Sequence, residues 1–206
     1  SDVAAMEVKR YAPDRVMLLP LYPQFSTTTT KSSLIDWYRA AKNIGLTSPQ
    51  VTSSALCCYA TSEGLITAQS ELITPLLSAA AAKGSVRLLL SAHGLPESIV
   101  KSGDPYAWQV EQTAAGIVDK LGIEGLDWRL CYQSRVGPMK WIGPSTDDEI
   151  KRAGIENVAL VVAPIAFVSE HSETLVELDI EYRELAQKSG VPAYDRVPAV
   201  GCHPAF

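Results

Sequence analysis

Cysteine is scarce in this chain. Cys57, Cys58, Cys131 and Cys202 are its only four, with no CxxC spacing, so neither a disulfide-rich framework nor an oxidising compartment is expected. Long apolar stretches are missing too. The longest nearly apolar run, Val158 to Val168, is interrupted by Pro164 and falls short of the roughly 20 residues of a spanning helix. No signal segment is visible, and a cytoplasmic location is expected. Lysine and arginine form no cluster and the net charge is −5, which argues against a nucleic-acid partner and for a small substrate. There is no GxGxxG, no P-loop and no internal repeat. Only three histidines are present, so each one counts.

At 206 residues and 47% hydrophobic content the chain suits one large α/β domain, or one domain with part of another. Five apolar runs recur at the spacing of alternating strands and helices: 15–20, 51–59, 86–92, 127–132 and 157–163. VRLLLSA and NVALVVA are nearly continuous, as in parallel strands buried on both faces. Between them, Thr30 or Ser32 is expected to cap a helix through Ala41. Further helices are expected over Gly64–Lys83, from Asp104-Pro105 to Gly122, and from a Thr146–Glu149 capping box to Gly154. The fold class is therefore an open, mostly parallel, Rossmann-like α/β sheet with helices on both faces. GLTSPQ (45–50) is the candidate boundary, with residues 1–50 the remnant of a first domain and 51–206 a second. A helical start (AAMEVKRYA) and a turn at the end lead us to expect part of a longer fold, or a naturally shortened relative of one.

Parallel sheets take ligands outside the carboxyl ends of their strands, which singles out the loops 21–30, 93–104, 133–145 and 164–172. His93 follows VRLLLSA directly, where a histidine faces the crevice, although a tight turn also uses such a residue. His171 and Glu173 share the fourth loop, and meeting His93 from an adjacent strand they would form a base and metal-ligand set. Glu173, Glu177 and Glu181 recur every four residues, opposite an apolar stripe of Leu175, Leu178, Tyr182 and Leu185. A solvated polar face is the ordinary explanation of such a row, and a path for a hydrated divalent ion is the functional one. Met139 and Trp141, between two Gly-Pro pairs, offer a flat apolar wall for an aromatic ligand.

LLSAHGLPESIVKSGDPY resembles the ferrochelatase signature. LYPQFSTTTTKSSL, CYQSRVGPMKWIGPSTDDEI and PIAFVSEHSETLVELDIEY are similar to three further stretches of that family, in the same order. The resemblance implies a chelatase-like fold of two similar domains and insertion of ferrous iron into a porphyrin, with protoporphyrin IX expected, to form haem. By the resemblance, the family's N-terminal segment and C-terminal end are expected to lie outside these 206 residues. The alternative is a truncated relative that binds tetrapyrrole or metal without turnover; a cobalt chelatase would share the fold but not all four motifs. By the resemblance His93 and Glu173 are catalytic, and His93, Glu173, His171, Glu177 and Glu181 handle metal. Tyr22, Ser91, Met139 and Trp141 are the substrate-binding candidates. The implied partners are porphyrin and ferrous iron. No cofactor is required. An animal-type [2Fe–2S] cluster is unsupported because Thr27 stands where one ligand cysteine would be, while Cys202 leaves a bacterial variant open. Peripheral membrane contact and a homodimer are also left open.

Overall fold

The computed structural model describes residues 1–46, 51–135 and 137–206, in two units, Ser1–Tyr59 and Ala60–Phe206. The first unit contains α1 (Asp2–Tyr11), β1 (Arg15–Leu18), a π-helix (Thr27–Lys31) running into α2 (Ser32–Asn43), and β2 (Thr52–Ala55). β1 and β2 pair in parallel, Arg15 opposite Thr52. This ladder puts the run after Val51 in the first unit, so the units divide at residues 59/60 rather than 50/51; most of the GLTSPQ stretch, Thr47–Gln50, lies outside the described residues. The cap before α2 is neither Thr30 nor Ser32. Ser26 accepts the Thr28 N–H at 3.1 Å and opens the π turn, whereas the Ser32 hydroxyl donates back to the Thr28 and Thr29 carbonyls.

The second unit is a four-stranded sheet in the order β4-β3-β5-β6, parallel throughout. Its elements are α3 (Glu63–Ala81), β3 (Val86–His93), α4 (Glu97–Lys101), α5 (Tyr106–Leu121), β4 (Trp128–Gln133), α6 (Thr146–Ile155), β5 (Ala159–Pro164), a π-helix (Glu173–Glu181), α7 (Tyr182–Lys188) and β6 (Tyr194–Arg196). The continuous apolar runs are the central strands, as a sheet covered on both faces requires. Leu88, Leu90, Val161 and Ala163 join the core with α3 and α5, and Leu89, Leu160 and Val162 join the opposite core with α6 and α7. Each fully buried leucine contributes about 1.5–3 kcal/mol. From β3 the chain goes out to β4, then returns across β3 to β5. The crevice outside the carboxyl ends of β3 and β5 is therefore the switch point where such sheets take ligands.

Two helix readings change. The N-cap of α6 is Ser145, whose Oγ accepts the Asp148 N–H at 3.1 Å and donates to the Asp148 carboxylate at 2.6 Å; Thr146 points inward instead. The glutamate helix closes i→i+5 bonds over nine residues, a form that is rare and usually a single turn. Leu175 is exposed, and the buried row is Thr174, Leu178, Tyr182 and Ala186. Its four-residue steps stay aligned because a π turn holds more than four residues and the following α turn fewer, so undershoot and overshoot offset one another.

β6, which has no apolar run to announce it, brings Arg196 against both ends of this region. Arg196 is nearly buried and pairs with Asp179 of the π-helix and with Glu170 at 2.6 Å, while the Ala199 N–H also donates to Glu170 at 2.9 Å. Partial burial alone would raise the Glu170 carboxyl, but hydrogen bonds from Thr174, Arg196 and Ala199 outweigh it and hold it below its ordinary 4.5. A depressed carboxyl stabilises the fold above about pH 4.5, and that contribution is lost as pH falls through the folded value. Thermal unfolding of wild type should therefore lose stability more steeply below pH 4.5 than Arg196→Met; parallel curves would show that the Arg196–Glu170 pair is not the cause.

Candidate active site

The ends of β3 and β5 are hydrogen-bonded neighbours, Ser91 opposite Pro164, and the loops that leave them carry the predicted residues. His93 is the last residue of β3. Its Nδ1 lies 2.6 Å from the Gly94 carbonyl oxygen. A carbonyl can only accept, so Nδ1 carries the proton of the neutral ring and Nε2 is left as a base. Nε2 stands 3.5 Å from Glu173 Oε1. The His93 carbonyl is fixed in turn by the Tyr106 hydroxyl at 2.9 Å, and Asp104 accepts the Tyr106 N–H at 2.9 Å, so the Gly-Asp-Pro-Tyr stretch secures the histidine's backbone.

His171 accepts the Glu173 N–H at Nδ1 (3.2 Å), capping the π-helix, and that nitrogen is 3.9 Å from Glu173 Oε2. The Phe167 ring stands edge-on to both imidazoles, 4.6 Å from His171 and 6.4 Å from His93 between centroids. The carboxylate of Glu173 is thus flanked by two histidines, and both histidines and Glu173 are partly open to solvent.

The other two glutamates part company. Glu181 is exposed. Glu177 faces four donors: Gln133 Nε2 at 2.9 Å, the Ser134 N–H at 2.7 Å, the Ser134 hydroxyl and the Tyr182 hydroxyl at 3.1 Å. A carboxylate offers about four lone-pair sites, so Glu177 serves here as an anchor between the π-helix and the end of β4. Tyr182 also reaches Asp147 at 3.1 Å; burial, then the Glu177 and Asp147 carboxylates, push its phenol far above the ordinary value and keep it a donor. Ser134 adopts a left-handed backbone (φ 59°), a strained conformation for a residue other than glycine, which directs both its donors at Glu177.

Gln133 is the hub that the sequence did not reveal. Its amide NH2 donates to the Glu173 carbonyl at 3.0 Å as well as to Glu177, and its oxygen accepts from Ser91 at 2.9 Å. Ser91 itself is fully buried, its hydroxyl shared between Gln133 and Thr146, so it supports the site from beneath instead of touching a ligand. Below it Cys131 is sealed in the core, its thiol pushed up to about 12, chiefly by burial. A buried glutamine and serine look alike in sequence whether they are surface or core.

Met139 is exposed and Trp141 half-buried on the loop after β4. That loop is stitched to the one after His93: Glu97 N–H donates to the Lys140 carbonyl at 2.9 Å and Ile142 N–H to the Leu95 carbonyl at 3.0 Å. Gly94 lies where they meet. A Cβ there would stand 2.9 Å from the Gln133 carbonyl oxygen and 3.2 Å from the Trp141 ring. Gly94→Ala should destabilise by about 1–3 kcal/mol in urea unfolding, and a neutral result would show that the loops separate freely. Tyr22, in the first unit, is exposed.

The ferrochelatase family matches residues 2–206. The chain belongs to that family. It is 52% identical over 206 residues to the ferrochelatase of Caulobacter vibrioides and 53% identical over 202 residues to that of Phenylobacterium zucineum; in both comparisons the chain spans 57% of the relative's length. SirB from Bacillus subtilis, solved with Fe3+, superimposes with a TM-score of 0.67 over 99% of this chain and 71% of its own, at 14% identity, which shows a shared chelatase fold. CbiX, the terminal enzyme for sirohaem biosynthesis in denitrifying bacteria, gives a TM-score of 0.56 over 94% of this chain and 72% of its own, at 17% identity. Within the ferrochelatase framework the His93–Glu173–His171 group is the candidate active site. Among the described residues no three His, Cys, Asp or Glu side chains form a ready-made metal cage, and no helix is long and apolar enough to cross a membrane.

Proposed function

We propose that the full-length protein inserts ferrous iron into a porphyrin, protoporphyrin IX, to give haem, the last step of haem biosynthesis. The observation that supports this most is His93 Nε2 held 3.5 Å from the Glu173 carboxylate, with Nδ1 turned to the Gly94 carbonyl, at the switch point of a chelatase fold. Metallation releases two pyrrole protons as the ion sheds its water. His93 Nε2 accepts a proton, and the facing Glu173 carboxylate stabilises the imidazolium that results. Glu173 and His171 offer oxygen and nitrogen to the incoming iron, which is substrate and not resident cofactor. Glu181, exposed at the far end of the π-helix, exchanges protons or ions with solvent, while Glu177 holds the helix in place. Met139 and Trp141 contact the macrocycle.

Cytoplasmic location belongs to the same proposal, as does any contact with a membrane surface or a second copy. The test is porphyrin absorbance after adding ferrous or zinc ion to the full-length protein. A Soret shift that grows with turnover is expected. A stoichiometric shift would make the protein a tetrapyrrole binder, and no shift would overturn the assignment.

A further inference from the structure

Cys57 and Cys58 follow β2 in the first unit and take no part in the chemistry above. Their sulfurs lie 3.3 Å apart, Cys57 exposed and Cys58 half-buried. The segment that carries them is tied down on both sides: Leu56 N–H donates to the Leu18 carbonyl at 3.0 Å, Tyr59 N–H to the Pro23 carbonyl at 2.8 Å, and the Tyr59 hydroxyl to the Pro20 carbonyl at 3.0 Å. The pair is therefore pre-organised, and little ordering remains to oppose a ligand that takes both sulfurs.

Which ligand fits follows from the bite. Neighbouring residues have Cα atoms about 3.8 Å apart across a trans peptide, below the usual disulfide range of about 4.4–6.8 Å, so a direct S–S bond is strained. An atom inserted between the sulfurs avoids that strain. With metal–sulfur bonds of about 2.3 Å, a 3.3 Å separation subtends an angle of about 90°. That is narrower than the tetrahedral angle zinc prefers, and far from the straight line of a two-coordinate soft cation. It suits a pyramidal trivalent centre whose third position is already occupied.

We propose that Cys57 and Cys58 form a chelating dithiol site for trivalent arsenicals, a class of thiophilic metalloid compounds, independent of the porphyrin chemistry. With an arylarsine oxide two As–S bonds form, the As=O bond and both S–H bonds break, and the two thiol protons leave on the oxygen as one water. No electrons are transferred and no oxidant is needed. Cys57 is exposed, and its thiol is raised chiefly by the hydrogen bond from Cys58.

Phenylarsine oxide is the probe. Intact-mass measurement of the 206-residue chain should show one phenylarsine group bound with loss of one water, reversed by a small dithiol but not by an equal concentration of monothiol. Cys57→Ser and Cys58→Ser should each weaken binding by about a hundredfold, the loss of a chelate's second arm. Cys202→Ser, which removes the other exposed thiol, should bind as wild type does. Binding that survives Cys57→Ser or Cys58→Ser, that disappears with Cys202→Ser, or that monothiol reverses, would overturn the proposal. Circular dichroism of each variant separates loss of the site from loss of the fold.

Discussion

Full-length protein carrying His93→Ala should bind porphyrin normally and metallate it about a thousandfold more slowly, the usual contribution of a positioned general base. The size of the effect follows from the geometry. The Gly94 carbonyl fixes the Nδ1 proton, so the substitution removes the one nitrogen free to take a pyrrole proton beside Glu173. Alanine leaves the Tyr106 hydrogen bond to the backbone carbonyl intact, so the loop should keep its course. Binding, read from porphyrin fluorescence, and turnover, read from the Soret band, should thus separate. Adding Glu173→Gln to His93→Ala should slow turnover by less than the product of the two single effects, because residues that act as a unit are not additive. A His93→Ala protein within tenfold of wild type would remove His93 from the reaction.

Gly154→Ala should be the most damaging single methyl in the second unit. A Cβ at 154 would lie 2.0 Å from the Ser189 carbonyl oxygen and 2.8 Å from its carbon, backbone atoms that cannot turn aside as a side chain can. In an open helix the same change would favour folding by about 1 kcal/mol through propensity, so the sign here is set by the clash. α6 and α7 must part, at about 3 kcal/mol, which corresponds to a fall in the thermal midpoint of roughly 10 °C. Since α7 continues directly from the π-helix, the shift should reach Glu177. An unchanged midpoint would mean that the two helices do not pack as closely as described.

What the sequence disclosed depended on how much apolar surface each segment buries. β3 and β5 were legible because strands covered on both faces must be continuously apolar. β6 was not, since Tyr194-Asp-Arg earns its place through Arg196 and its two carboxylates, and paired charges leave no hydrophobic pattern. His93, His171 and Glu173 could be placed at one sheet edge from strand order alone. The division of labour among the glutamates could not. Whether a carboxylate is anchored like Glu177 or exposed like Glu181 is decided by Ser134 and Gln133, forty or more residues away, and by a left-handed serine that nothing in the local sequence announces. The i→i+5 winding was equally hidden, because the four-residue spacing of the glutamates fits an α-helix as readily.

The two backbone hydrogen bonds between residues 95–97 and 140–142 make one plate of loops that leave different strands. Met139 and Trp141 therefore take their position from the strand bearing His93 as much as from their own. In the proposed reaction, a macrocycle resting on that plate would be registered against His93 by main-chain bonds, whatever side chains line the wall. Changes at 139 or 141 that alter which porphyrin is accepted should leave the base-to-ring distance nearly unchanged, so that selectivity can drift while the chemistry stays in place.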